Sequence, residues 1–279
     1  MREDEPFYPV CNRNRVIFPK PPGPGPLAPS DYPVRDGNPM AETPIHRRAT
    51  VDAAMPLHFF FEKRSDVYVG CDMLMYYREG DVNGNVVPDV WVAFGVPKLP
   101  ERDNWLIWLE GKGPDFVLEI TSENTELEDE GRKKRVYEAL GVREYWQFDP
   151  EGDYLDPFLK GRELGPDGKY RDLVLQEHEG VLCHQSLLGL ELCLEEERLF
   201  YFDPVRNVRL LTHMETVDAT RATKKATQTL KAERDLEMRL FRGEIADRRA
   251  AEKELDRLAT VRRASDARIA ELESRVRRR

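Results

Sequence analysis

Two carboxylates stand where an apolar strand would not choose them. Asp89 follows Pro88 at the head of Val90-Trp-Val-Ala-Phe94, and Glu119 lies inside Phe116-Val-Leu-Glu-Ile120. A third stretch, Lys133-Lys134-Arg-Val-Tyr137, reads as a helix carrying lysines and runs through Gly141 into the strand-like Glu144-Tyr-Trp-Gln-Phe148. Two carboxylates and a lysine that converge can hold a hard divalent cation and activate water, which suits metal-assisted hydrolysis of a phosphodiester. The residues leave two choices open. Asp115 shares a strand face with Glu119, so Pro114-Asp115 competes with Pro88-Asp89, although four residues of one strand is tight for two such positions. Lys134 competes with Lys133, about 100° further around a helix. The plainer reading is structural: Asp89 caps a turn after Pro88, and Glu119 forms an ion pair with Lys133.

The flanking sequence predicts the elements that would position these groups. Residues 66–77 alternate, with Val67, Val69, Cys71, Met73 and Met75 on one face and Asp66, Tyr68, Gly70 and Asp72 on the other. Asp81-Val-Asn83-Gly84-Asn85 signals a tight hairpin, followed by strand 86–94 and strand 115–121. A helix over 125–140 ends at Gly141, a favoured residue just past a helix end, and strand 143–148 completes a strand–helix–strand unit. Ile45, Ala49, Ala53 and Leu57 place a helix within 40–62 that Pro56 would kink or end. Residues 153–210 read as short strands and turns. The order implies an α/β fold with a mixed, α+β-like sheet flanked by helices. Three regions follow: a proline-rich extended segment at 1–39, a globular domain at 40–212, and a charged helix at 213–279.

Several motifs, taken in order, resemble a known family. They are Asp36-Gly37, Pro39-Met-Ala-Glu42-Thr43, Gly70-Cys-Asp72, Val87-Pro-Asp89-Val, Phe116-Val-Leu-Glu119-Ile, Lys133 four residues before Tyr137, Gly141-Val, Glu144-Tyr-Trp146 and Asp149-Pro150. The span of residues 30 to 200 resembles the PD-(D/E)-x-K nuclease superfamily in its bacterial branch, the Uma-two family of restriction-endonuclease-like proteins. The resemblance implies a restriction-endonuclease-like core and a Mg²⁺- or Mn²⁺-dependent endonuclease acting on DNA. It aligns Asp89 with the first acid and Glu119 with the second. The simple motif puts its lysine two residues after the second acid, where this chain has Thr121. The family pattern moves the lysine to the next helix, and Lys133 matches that position. Asp89, Glu119 and the Ile120 carbonyl would then ligate the metal, and Lys133 would orient water or stabilise developing charge. The rival reading is a catalytically silent interaction protein that keeps the nuclease fold and assembles through its C-terminal helix.

Other acidic and aromatic residues are weaker candidates. Glu42 could supply an extra acid or simply favour a helix start. Asp72 could neighbour a metal site, and Asp129 could pair with Lys133 at i,i+4. Trp105, Trp108, Tyr145 and Trp146 could stack on bases but more simply pack. The five histidines show no metal-ligand spacing, and there is no P-loop, dinucleotide fingerprint or nucleophilic-serine motif.

Charge is unevenly placed. Residues 213–279 carry 18 Lys+Arg and 13 Asp+Glu, net +5, which leaves net −14 for residues 1–212 of a chain at −9. An acidic body disfavours tight unaided nucleic-acid binding, though bound cations offset local charge. Cys11, Cys71, Cys183 and Cys193 form no C-x-x-C pair and are expected to be reduced thiols. No apolar run reaches membrane length, and the start lacks a signal-peptide core, so a cytoplasmic protein is expected. Residues 214–279 contain no Pro and one Gly, Gly243. Leu255, Leu258, Ile269, Leu272 and Val276 fall on a heptad-like stripe, which favours homo-oligomer formation through a coiled coil, while polar seam members such as Arg234, Glu244 and Arg262 leave a solvated single helix as the alternative.

Overall fold

A computed structural model describes residues 10–12, 15–17, 27–33, 43–122, 125–178 and 180–277. Asp36, Glu42 and most of the proline-rich segment lie outside these residues. The chain divides into two compact units, Met1–Thr216 and Val217–Arg279.

The first unit is built on a six-stranded mixed sheet: β1 Val67–Cys71, β2 Val90–Phe94, β3 Phe116–Ile120, β4 Glu144–Phe148, β5 Leu159–Leu164 and β6 Tyr170–Asp172. Its spatial order is its chain order. Neighbours are antiparallel except β3 and β4, which run parallel. A parallel pair needs a crossover, supplied here by a helical segment made of Glu126–Glu128, a π turn at Asp129–Lys133 and helix Lys134–Leu140. Gly141 ends it in the left-handed region, at φ 75°, which glycine adopts without a Cβ clash.

Alternation along the strands gives the sheet two apolar faces. Val90, Val92, Phe116, Leu118, Ile120, Trp146 and Phe148 pack against helix α1 (Pro44–Phe60) and a second sheet. Trp91, Ala93, Val117 and Tyr145 lie on the opposite face with Val136, Tyr137 and Leu140 of the crossover. The second sheet is an antiparallel meander: β7 Gln176–His178, β8 Val181–Gln185, β9 Glu191–Glu195, β10 Arg198–Asp203 and β11 Val208–Arg209. Glu144 of β4 ties to it, accepting from Ser186 Oγ and Leu187 N at 2.6 Å each.

Several expectations are corrected. The alternating strand 66–77 breaks after Cys71, where Asp72 takes φ 47°, and resumes as Met75–Tyr76 in a small three-stranded sheet with Asn85–Val86 and Trp105–Leu106. The expected tight Asn-Gly hairpin is a longer loop, closed by Tyr77 N–H to Gly84 O. Strand 86–94 is interrupted at Pro88, which has no N–H to give a ladder. Of the two effects expected of Pro56, ending the helix does not occur; α1 continues to Phe60. Part of the proline-rich lead-in is docked: Tyr32 is buried with Leu74, Tyr76 and Leu106. Cys183 and Cys193, expected as reduced thiols, stand directly opposite on β8 and β9 and are disulfide-bonded.

The second unit is helix. Helix α2, His213–Arg277, starts at the end of the first unit and is exposed along nearly all its described length. Its exposed residues include Leu255, Leu258, Ile269 and Leu272.

Candidate metal and hydrolytic site

β2 and β3 bring the two acids together. Val90 faces Leu118, so Asp89 sits beside Glu119 at the strand ends. The Asp89 carboxylate accepts the Ile120 N–H at 2.6 Å, and the Asp89 N–H points to Glu119 Oε2 at 3.4 Å. The proximity thus involves backbone groups on both strands. Glu119 is fully buried, whereas the Asp89 side chain keeps 14% exposure. Solvent therefore meets the pair from the Asp89 side.

The crossover supplies the rest. Lys133 Nζ lies 2.9 Å from Glu119 Oε2 and 3.1 Å from Asp129 Oδ1. One turn later the Tyr137 hydroxyl donates to Glu119 Oε1. Asp129, Lys133 and Tyr137 follow one another at four-residue spacing, so they share the helical face laid on the sheet. The π turn contains the first two of them, and its backbone hydrogen bonds span five residues where an α-helix spans four. Tyr145 Oη donates to the Asp129 carbonyl at 2.9 Å and pins that turn to β4. Gln147 faces Glu119 across the parallel pair and accepts from Arg162.

The site is electrostatically loaded. Asp129 is fully buried and neither carboxylate oxygen receives an aligned hydrogen bond. Burial, with the Glu119 charge adding to it, pushes Asp129 up to about 7. Burial and then Glu119 likewise hold Asp89 well above the usual carboxylate range, and Asp72 adds in the same direction. Lys133 is raised: its burial opposes the charge, but Glu119, Asp129 and Asp89 together outweigh that. With all four groups ionised, three carboxylates surround one ammonium and the formal charge is −2.

The alternatives left open by sequence now have positions. Asp115 turns away, accepting from Lys112 Nζ at 2.5 Å and Phe94 N at 2.8 Å. Lys134 makes none of the contacts to these carboxylates that Lys133 makes. Asp72 is close: its N–H donates to the Asp89 carbonyl at 3.2 Å. Trp105, Tyr145 and Trp146 are buried core residues, unavailable for base stacking. Trp108 packs on Tyr32. Sequence reasoning passed over His46. Its Nε2 lies 2.8 Å from the Ile120 carbonyl oxygen and 3.7 Å from Asp89 Oδ2.

The donor set suits a hard divalent cation. It offers carboxylate oxygens and a strand-end carbonyl, and the buried Asp129 carboxylate has for compensation only the Lys133 ammonium it shares with Glu119, a state that costs free energy unless a further cation or a proton offsets it.

The sequence profile of Uma2, described as "Putative restriction endonuclease", matches residues 29–195. The chain belongs to the Uma2 family. The matched span of this Uma2 member contains Asp89, Glu119, Asp129 and Lys133, together with His46. A crystal structure described as "a putative nuclease belonging to DUF820 from Anabaena variabilis" is similar at 13% identity and a TM-score of 0.36, covering 52% of this chain and 79% of that one. No curated protein matches this chain. Among the described residues no helix is long and apolar enough to cross a membrane.

Proposed function

We propose that this protein is a Mg²⁺- or Mn²⁺-dependent endonuclease that hydrolyses DNA phosphodiester bonds, with Asp89, Glu119 and Lys133 as its catalytic set. One observation carries the reading: buried Glu119 and Asp129, with Asp89 at the solvent edge, have a single lysine between them, so with all three acids ionised the site is two positive charges short. A divalent cation supplies them. Asp89, Glu119 and the Ile120 carbonyl would hold it, and when bound it lowers the pKa of a coordinated water and offsets charge on the phosphorus oxygens.

The protein's own groups do the remaining work. The Asp89 carboxylate is fixed by the Ile120 N–H, so its position is set before any ligand arrives. Tyr137 and Lys133 each hold one oxygen of Glu119, which fixes the plane of that carboxylate. The Lys133 ammonium stays charged and stands where negative charge develops, a preorganised electrostatic contribution. The apolar core beneath excludes water from all but the Asp89 side. DNA approaches a net-negative body, so cation binding at the site also reduces repulsion of the phosphate backbone.

The test is cleavage of plasmid and single-stranded DNA with Mg²⁺ or Mn²⁺, comparing wild type with Asp89→Ala and Glu119→Ala. Metal-dependent cleavage lost in both variants is expected. Equal activity in all three removes the assignment. Complete inactivity of wild type across both metals favours the rival, a nuclease-fold interaction protein that assembles through its C-terminal helix.

A further inference from the structure

We infer that His46 is a positioning residue of the metal site: its Nε2–H holds the Ile120 carbonyl, and with it the strand end beside Asp89, in the orientation a divalent cation needs. This rests on the metal-dependent reading above and assigns a role to a residue of α1, an element that supplies none of the three catalytic groups.

The hydrogen bond fixes the tautomer. A carbonyl oxygen can only accept, so the proton of the 2.8 Å contact sits on Nε2. Nδ1 of the neutral ring is then a bare acceptor, and it is buried without a partner. The backbone that carries the ring is held on both sides. Thr43 caps α1, its Oγ1 accepting the His46 N–H at 3.1 Å, and Thr50 Oγ1 donates to the His46 carbonyl at 3.1 Å. His46 is 8% exposed and touches the strand end from the sheet face opposite Lys133.

Both polar groups of Ile120 are thereby engaged near the site. Its N–H is held by Asp89 and its carbonyl by His46. A carbonyl has two lone pairs, so donation from His46 leaves one for a cation while restricting rotation of the peptide. Nε2 also lies 3.7 Å from Asp89 Oδ2, so the imidazole spans the carbonyl and the carboxylate together. Groups that orient metal ligands in this way commonly change metal affinity by about 10–100-fold when removed.

The experiment is direct titration of the full chain with Mn²⁺, read by the EPR signal of free ion, beside thermal unfolding of each metal-free variant. His46→Phe keeps the ring and loses the donor. His46→Ala removes both and serves if the Phe variant does not fold. His46→Gln restores an N–H of similar reach. Asp89→Ala is the ligand control. The expected result is Mn²⁺ affinity reduced about tenfold or more in the Phe and Ala variants, substantially recovered in Gln, and abolished in Asp89→Ala. Recovery by Gln separates positioning from packing, because packing alone would lower stability without a donor-specific change in affinity. Wild-type affinity in the Phe or Ala variant, with Asp89→Ala still defective, overturns the role of His46 and leaves the metal reading standing. An equal loss in Phe and Gln also overturns it. Absence of Mn²⁺ binding by wild type overturns both.

Discussion

The same pairing occurs in two regions with opposite consequences. In the body, Asp129 and Lys133 are four residues apart, 3.1 Å between charged atoms, with side chains 1% and 9% exposed. In α2, Arg248 and Glu252 are also four residues apart, 3.3 Å between charged atoms, with side chains 84% and 63% exposed. Water screens the second pair, and such contacts contribute about 0–1 kcal/mol. Burial denies the first pair that screening, and removing one partner of a buried pair costs about 3–5 kcal/mol because a charge is left uncompensated. Spacing along a helix therefore says little about chemistry. What matters is which face is covered, and by what.

The largest expected effect comes from breaking the buried pair. Lys133→Met should lower unfolding free energy by about 3–5 kcal/mol in urea, and it should remove metal-dependent cleavage even at temperatures where the variant is folded. Retained cleavage would show that the ammonium does not serve the reaction.

pH sharpens the contrast next. Asp129 titrates at about 7 when folded, against an ordinary 3.8. Its pKa is raised, so the folded state binds the proton more tightly. This contribution to stability is fully present below pH 3.8 and is lost as pH rises from there to about 7. Lys133 remains charged throughout that window. Metal-free protein should lose this part of its stability across the window, Asp129→Asn should weaken the dependence while raised Asp89 keeps its own share, and saturating Mg²⁺ should offset the decline. Denaturation midpoints at pH 5 and 7.5 decide it.

Removing the exposed region should leave the site intact. A chain cut after residue 212 is expected to keep its fold and metal-dependent cleavage while losing self-association, since Leu255, Leu258, Ile269 and Leu272 lie exposed on one stripe. Sedimentation of the full and shortened chains at tens of micromolar checks this; two monomers end the coiled-coil proposal. Smallest of all, Arg248→Met should change stability by about 0.5 kcal/mol or less, measured on the same urea curves.

The strands that carry the acids were legible because their apolar runs are long and their carboxylates conspicuous: Asp89 and Glu119 announce themselves against Val, Trp, Phe and Ile. The long charged helix was legible because nothing in it breaks a helix. What stayed hidden depends on contacts far apart in the chain. His46 shows no spacing signal since its partner is a backbone carbonyl 74 residues away. Cys183 and Cys193 meet through antiparallel register, which a sequence separation of 10 does not specify. Within the π turn only Gly131 marks a weak point of the helix, and it does not specify the turn. Asp72 fits the alternation as a polar member, and only the positive φ at that position reveals why the strand stops there.

Spatial order equal to chain order in the six-stranded and five-stranded sheets has a kinetic meaning. Each strand finds its partner among the segments made just before it, so loop closure is short at every step and the relative contact order stays low for a sheet of this size. The acids still arrive through neighbouring strands 30 residues apart, within reach of fast closure. During synthesis both sheets are complete before α2 emerges, so its apolar stripe is presented last, to surroundings that are already folded.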